Sequence, residues 1–285
     1  MRERHPYHGR HATIGTMHAK ERVIAPVLSR CLGLIVECDA GIDTDALGTF
    51  TGEIPRAGDM LEAARAKARL AIARNGAGIG IGSEGAFGPN PVIPFLASGI
   101  ELIALVDAES DHEVVVQRRT RTNYDSIIAG PDENIAPFLT RIGFPDHGVI
   151  VRPEGRTDAV GLVKGLTDHE SLDRAIKAAA ALSGADQARV QTDMRAHLNP
   201  TRMKTIAFVA RALALRAARL CPDCRTPGFG MRDALRGLAC AECGAPTRRV
   251  RAEIHGCLKC GLRCVKRERP PSLRAEAMWC DACNP

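Results

Sequence analysis

Four Cys-x-x-Cys pairs fill the last 65 residues of the chain: Cys221/Cys224, Cys240/Cys243, Cys257/Cys260 and Cys280/Cys283. Intervals of 15, 13 and 19 residues separate successive pairs. A Cys-x-x-Cys turn lets two sulfurs face one point, and a second turn elsewhere closes a tetrahedron. Eight thiols in this pattern suit two structural Zn²⁺ sites with four sulfur ligands each. Three groupings are open: adjacent, cross-braced or nested. The adjacent one is favoured, because loops of 15 and 19 residues match the usual ribbon interval. A catalytic zinc is not expected, since such sites keep an open position and usually carry His or carboxylate ligands. His255 and Cys264 are the residues that could replace a pair member.

At 285 residues the chain exceeds one average domain. The expected organisation is a flexible arm over 1–10, an α/β domain over 11–220 and a double zinc ribbon over 221–285. No apolar run reaches the roughly 18 residues of a membrane span, so no membrane partner is expected. Residues 1–10 lack the apolar stretch of a signal peptide. A cytoplasmic location is therefore expected, where reduced thiols favour zinc over disulfides. Cys31 and Cys38, outside the four pairs, sit in or near an apolar segment and are expected to be buried.

The formal charge is +6, and the tail from 221 holds +5 of it, with 12 Lys/Arg against 7 Asp/Glu. That placement invites a nucleic-acid partner. Each zinc with four thiolates carries two negative charges, however, so the metal centres offset most of the excess. Few aromatics are present for base stacking, only Phe229 and Trp279 in the tail.

Before the tail, helical and strand patterns alternate, which predicts an α/β fold with a mixed sheet flanked by helices. Strands are expected at 12–15, 32–37 (buried), 77–82, 147–152 and 188–194, and a hairpin over 101–119. Helices are expected at 20–28, 60–74 behind the N-cap Asp59, 134–142, 171–182 and 201–220. Gly80-Ile-Gly82-Ser-Glu-Gly85 matches the G-x-G-x-x-G dinucleotide fingerprint. The prolines at 89 and 91 forbid the helix that this motif needs, so the match is rejected.

Four segments carry candidate chemistry. Glu84 ends the glycine-rich strand, where small neighbours would admit a ligand. Glu53 and Asp59 stand in or after an acidic loop that includes Asp43 and Asp45, and such hard carboxylates can hold Mg²⁺. Thr16, His18 and Lys20 follow the first strand as a candidate phosphate turn. Arg195, Asn199 and Arg202 surround the start of the last helix. There Asn199 is a good N-cap, Pro200 a good first residue, and free N–H groups face an anion.

Thr16–Glu21, Asp43–Glu53, Ser83–Pro89, Thr192–Arg195, Asn199–Met203 and the Cys-rich tail together resemble an uncharacterised bacterial family known only as a domain of unknown function. A fainter likeness, over roughly 11–120, is to the inosine/xanthosine triphosphate pyrophosphatases. It rests on the order of Thr16/His18/Lys20, the helix after Asp59 and Gly80–Gly85. His18 stands where that family carries Asn. This likeness implies Mg²⁺-assisted hydrolysis of a nucleotide phosphoanhydride. The leading expectation from the residues themselves is a zinc-containing α/β enzyme in which Glu84 with Glu53 or Asp59 would hold the metal, and Thr16, Lys20, Arg195 and Arg202 the phosphates. The alternative expectation is a binding module whose zinc tail contacts nucleic acid or a protein partner while the α/β part senses a ligand.

Overall fold

The computed structural model describes residues 4–39, 41 and 58–285. The chain divides into two compact units, Tyr7–Ala214 and a second formed by Met1–Pro6 with Leu215–Pro285. The division falls inside the last long helix rather than at its end.

The first unit opens with β1 (His11–Gly15), α1 (Glu21–Leu32), β2 (Ile35–Cys38), α2 (Met60–Asn75), β3 (Ile79–Pro89), β4 (Ala97–Asp107) and β5 (His112–Arg121). Their strands form one mixed sheet in the order β2-β1-β3-β4-β5. β1 pairs in parallel with β2 and β3, and β3-β4-β5 is an antiparallel meander. From β1 the chain crosses first to one side and then back to the other. Two right-handed crossovers of this kind put α1 and α2 on opposite faces of the sheet.

Glycine and alanine set the contact with α2. A Cβ on Gly80 would lie 2.1 Å from the Ala68 carbonyl oxygen, and one on Gly82 would lie 1.8 Å from that of Ala64. The glycines therefore admit the Ala-lined face of α2, not a ligand, which corrects the expectation for small neighbours at Glu84. α2 starts where the sequence places it: Asp59 accepts from the Glu62 N–H at 2.8 Å and the Glu62 carboxylate accepts from the Asp59 N–H at 3.2 Å.

The rest of this unit adds β6 (Ser126–Ala129), α3 (Ala136–Ile142), β7 (Val149–Pro153), β8 (Val163–Leu166), α4 (His169–Ala181), β9 (Ala188–Thr192) and α5 (Pro200–Ala217). Its strands make a separate antiparallel sheet in the order β6-β9-β7-β8. Phe138, Ile142, Val149, Leu172, Ile176 and Val190 form its core.

Three expectations need correction. The strand at 32–37 is not buried: among the described residues β2 has one neighbour, β1, at the edge of the sheet, and its residues are largely exposed. For the same reason Cys38 is exposed, and Cys31 is exposed on α1. The expected arm at 1–10 is packed over its described part. Tyr7 is 1 % exposed, Arg10 forms a bidentate pair with Asp107 at 2.7 and 2.8 Å, and His5 Nε2 lies 3.1 Å from the Ala217 carbonyl.

The second unit contains β10 (Gly230–Arg236), β11 (Val250–Gly256) and β12 (Arg263–Lys266), an antiparallel sheet in sequence order. Among its described residues from 221 on, the buried hydrophobic ones are Leu238, Ala252, Ala275 and the cysteines 221, 240, 257 and 280. The core of this unit is thus largely its cysteines. Among the described residues, no helix is long and apolar enough to cross a membrane.

Candidate functional site

The eight cysteines form two clusters, Cys221/Cys224/Cys257/Cys260 and Cys240/Cys243/Cys280/Cys283. Sulfur separations are 3.7 Å for Cys221–Cys260, 3.6 Å for Cys224–Cys257, 3.9 Å for Cys240–Cys283 and 3.6 Å for Cys243–Cys280. Four sulfurs about 2.3 Å from a zinc at tetrahedral angles stand about 3.8 Å apart. The spacing fits two structural Zn²⁺ ions and is far too long for disulfides, whose S–S bond is about 2.05 Å. Four thiolates complete each coordination shell, so a zinc here would hold the fold and leave no position for substrate.

The pairing is cross-braced, which corrects the adjacent grouping. The reason is strand direction. Successive Cys pairs are separated first by β10 and then by β11, so they alternate between the two ends of the sheet. The register Gly230↔Gly256 brings the first and third pairs together, and Arg236↔Val250 opens the opposite end, where the second and fourth meet. A seven-residue strand spans roughly 23 Å, too far for adjacent pairs to share an ion.

Each turn is shaped to aim its sulfurs. The residue after the second cysteine is left-handed in three of the four pairs: Arg225 (φ 61°), Gly244 (φ 73°) and Gly261 (φ 76°). Hydrogen bonds from Thr226, first its hydroxyl and then its backbone, pull the Cys224 thiol down to about 6. The backbone N–H groups of Cys243 and Glu242 pull Cys240 down to about 7. Hydrogen bonding to Cys243, together with burial, pushes Cys283 up to about 12. Neighbouring thiolates cannot all form at one point without a cation between them. His255 and Cys264 stay outside both clusters: they face each other across β11 and β12, and His255 Nε2 lies 2.8 Å from a Glu253 carboxylate oxygen.

A second constellation lies in the first unit, where β1 ends. The last parallel pair is Gly15↔Gly82; beyond it β3 continues without β1. This is the switch point of the sheet, where strands depart to either side and a crevice opens past their carboxyl ends. Lys20, at the start of α1, reaches into the gap and donates to the Ser83 carbonyl at 3.0 Å and its hydroxyl at 3.4 Å. On the opposite face of β3, Lys67 of α2 forms a buried ion pair with Glu84. Arg202 of α5 donates to Glu101 at 2.6 and 3.5 Å and to the Met194 carbonyl, and lies 4.9 Å over the Phe87 ring.

Three buried cations thus stand against the two carboxylates Glu84 and Glu101 among the described residues of this group. The electrostatics carry the imprint. Burial, then the positive charge of Arg202, pushes Lys20 down to about 7, with Glu101 and Glu84 opposing. Burial and the charges of Lys20, His197, Arg202 and Arg195 push His18 down to about 3. His18 stacks on His197 with ring centroids 5.2 Å apart. Beside the pair, an open cleft of about 440 Å³ is lined by Ala19, Arg22, His197, Pro200, Met203 and Lys204 among others, with no carboxylate among the described residues of its wall.

The sequence-derived candidates distribute unevenly around this place. Thr16, His18 and Lys20 do form one turn, in which the Thr16 hydroxyl lies 3.5 Å from the His18 N–H and Ala19 takes a left-handed φ of 57°. Asn199 is buried and caps α5, accepting from the Arg202 N–H at 2.9 Å and donating to Asn123 at 3.0 Å. Arg195 is bound to Asp193 at 2.6 Å. Asp59 is taken up by the capping box of α2. Glu53, with Asp43 and Asp45, lies outside the described residues.

Sequence reasoning missed Lys67 and Glu101, and both left a signal. Lys67 falls on the stripe Ala63, Ala64, Ala68, Ala71, a helix face that is buried. Glu101 interrupts an apolar strand that is buried on both faces over most of its length. A charge in either setting needs a partner.

Comparison with curated proteins and with solved structures gives no match. A family model, described as a domain of unknown function (DUF6671), matches residues 67–285. That span begins at Lys67 and takes in Glu84, Glu101, Arg202 and both cysteine clusters, while the turn at Thr16–Lys20 precedes it. With more than half of its length matched, the chain belongs to the DUF6671 family.

Proposed function

We propose that the α/β unit binds a small phosphorylated anion in the cleft between the first turns of α1 and α5, and that the zinc unit is a metal-built scaffold. The observation that carries the reading is the cation excess at the switch point. Among the described residues, Lys20, Lys67 and Arg202 exceed Glu84 and Glu101 there, and Arg22 and Lys204 stand in a cleft wall to which no described carboxylate contributes. An anion there would offset buried positive charge; the first-turn N–H groups of α5 are already taken, Thr201 by His147 and Arg202 by the Asn199 cap, so the cations would have to hold it. Magnesium-assisted hydrolysis is not part of this proposal. Glu84 is held in an ion pair and Asp59 in a helix cap.

The test is thermal unfolding of the zinc-loaded protein at low ionic strength with inorganic phosphate, pyrophosphate or nucleoside phosphates. A ligand at about 100 times its Kd adds about 2.7 kcal/mol to the folded state, a shift of several degrees. The shift should vanish in an Arg22→Ala/Lys204→Ala variant, whose substitutions leave the buried pairs intact. No shift with any phosphate, or an equal shift in that variant, would sink the reading.

A further inference from the structure

The second unit carries a groove that the anion site does not explain. A cleft of about 820 Å³ is lined by five arginines, Arg236, Arg248, Arg249, Arg269 and Arg274, and by Trp279. All five arginines are exposed. A second cleft of about 630 Å³ shares Arg269, Leu273 and Arg274 with the first and adds Arg251. The Arg249 guanidinium lies 4.9 Å over the Trp279 ring, yet the tryptophan keeps 39 % of its surface exposed. Leu273 and Met278 beside it are 40 % and 62 % exposed.

We infer that this groove binds single-stranded nucleic acid, with phosphates on the arginines and a base on Trp279. Charge decides the partner. Among the described residues only Glu276 opposes the five arginines within the first cleft, and Asp281 pairs with Arg248 beside it. The tetrathiolate zinc at Cys240/Cys243/Cys280/Cys283 adds two negative charges, and the balance stays positive. Over the whole tail the thiolates cancel most of the basic excess, but the arginines are not spread evenly: nearly half of the tail's 12 Lys/Arg face this one groove. An exposed indole flanked by a stacked guanidinium and aliphatic side chains is a base platform. An unpaired base can reach it, whereas a duplex keeps its bases stacked inside. An acidic peptide would use the arginines and leave the indole idle.

The chain's single tryptophan makes the test specific. Zinc-loaded full-length protein is titrated with a 12-nucleotide oligo(dT), a 12-base-pair duplex and a polyglutamate peptide, reading Trp279 fluorescence and anisotropy. The single strand should quench Trp279 and bind more tightly than the other two. Its log K should fall with log salt at about 0.7 per phosphate engaged. Arg236→Ala/Arg274→Ala should weaken binding roughly tenfold and lower that slope by about 1.4, with zinc content unchanged. The inference fails if no quenching occurs near 50 mM salt, a regime in which phosphate contacts are strong. It also fails if duplex or polyglutamate binds as well as the single strand, or if the double variant binds like the parent.

Discussion

The two units reach order by different routes. Tyr7–Ala214 has a true apolar core, with Ile14, Ile24, Leu28, Ile81, Ile103 and Leu105 all fully buried. From residue 221 on, the described buried hydrophobics are three small or medium aliphatic residues and four cysteines. Apolar burial stabilises by roughly 25 cal/mol per Å², and a segment that short with so little to bury cannot offset its chain entropy. A metal in each cysteine cluster would supply the difference. In the first unit charge is the exception, buried in pairs on β3 and β4 beyond the end of β1; in the second it covers the outside.

The sharpest way to break this contrast is to remove the zinc. Structural zinc sites contribute on the order of 10 kcal/mol to folding. Chelation should therefore unfold the unit around β10–β12 while the α/β unit keeps its cooperative transition, as read by amide exchange or proteolysis. Metal content of paired variants then tests the cross-brace. Cys221→Ser/Cys257→Ser should lose one of two zincs, and Cys221→Ser/Cys240→Ser should lose both. Adjacent pairing predicts the reverse.

The next effect lies in the α/β unit. Arg202→Met leaves Glu101, 1 % exposed, without its cation. Removing one member of a buried pair costs about 3–5 kcal/mol. The Arg202→Met/Glu101→Met variant should recover much of that loss in chemical denaturation. If Arg202→Met melts like the parent, the pair is not buried as described.

A smaller loss is expected from Gly82→Ala, whose Cβ would meet the Ala64 carbonyl oxygen at 1.8 Å. Overpacking of this kind costs about 1–3 kcal/mol, visible as a lower melting temperature with zinc content intact. Gly244→Ala places a side chain at φ 73° beside a zinc ligand and should cost about 1 kcal/mol. It should act on the zinc unit and leave the other unchanged.

The last effect is a slope with pH. His18 is pushed down to about 3 from 6.5, chiefly by burial. The unfolded chain therefore takes up this proton before the folded one does. The stability His18 contributes is complete above pH 6.5 and is lost progressively as pH falls toward 3. His18→Gln should flatten the acid limb of the melting profile. An unchanged limb would place the acid sensitivity elsewhere.

Much of this is legible in the sequence. Asp59 and Glu62, three residues apart, announce a capping box, and one forms. Asn199-Pro200 announces the start of α5, and the Asn199 side chain caps it. Such signals are local, carried by residues a turn apart. The edge position of β2 was not legible, because a short apolar run reads the same whether one neighbour flanks it or two. The ion pairs Lys67–Glu84 and Arg202–Glu101 were not legible as pairs either. Each residue stands out alone, but 101 residues separate Arg202 from its partner.

The eight cysteines divide along the same line. Spacing by itself determined that the tail carries four turns with two inward sulfurs each, because Cys-x-x-Cys geometry is local. Which turns share an ion was decided only by the sheet. Antiparallel strands reverse the chain between successive turns, so the first meets the third and the second meets the fourth.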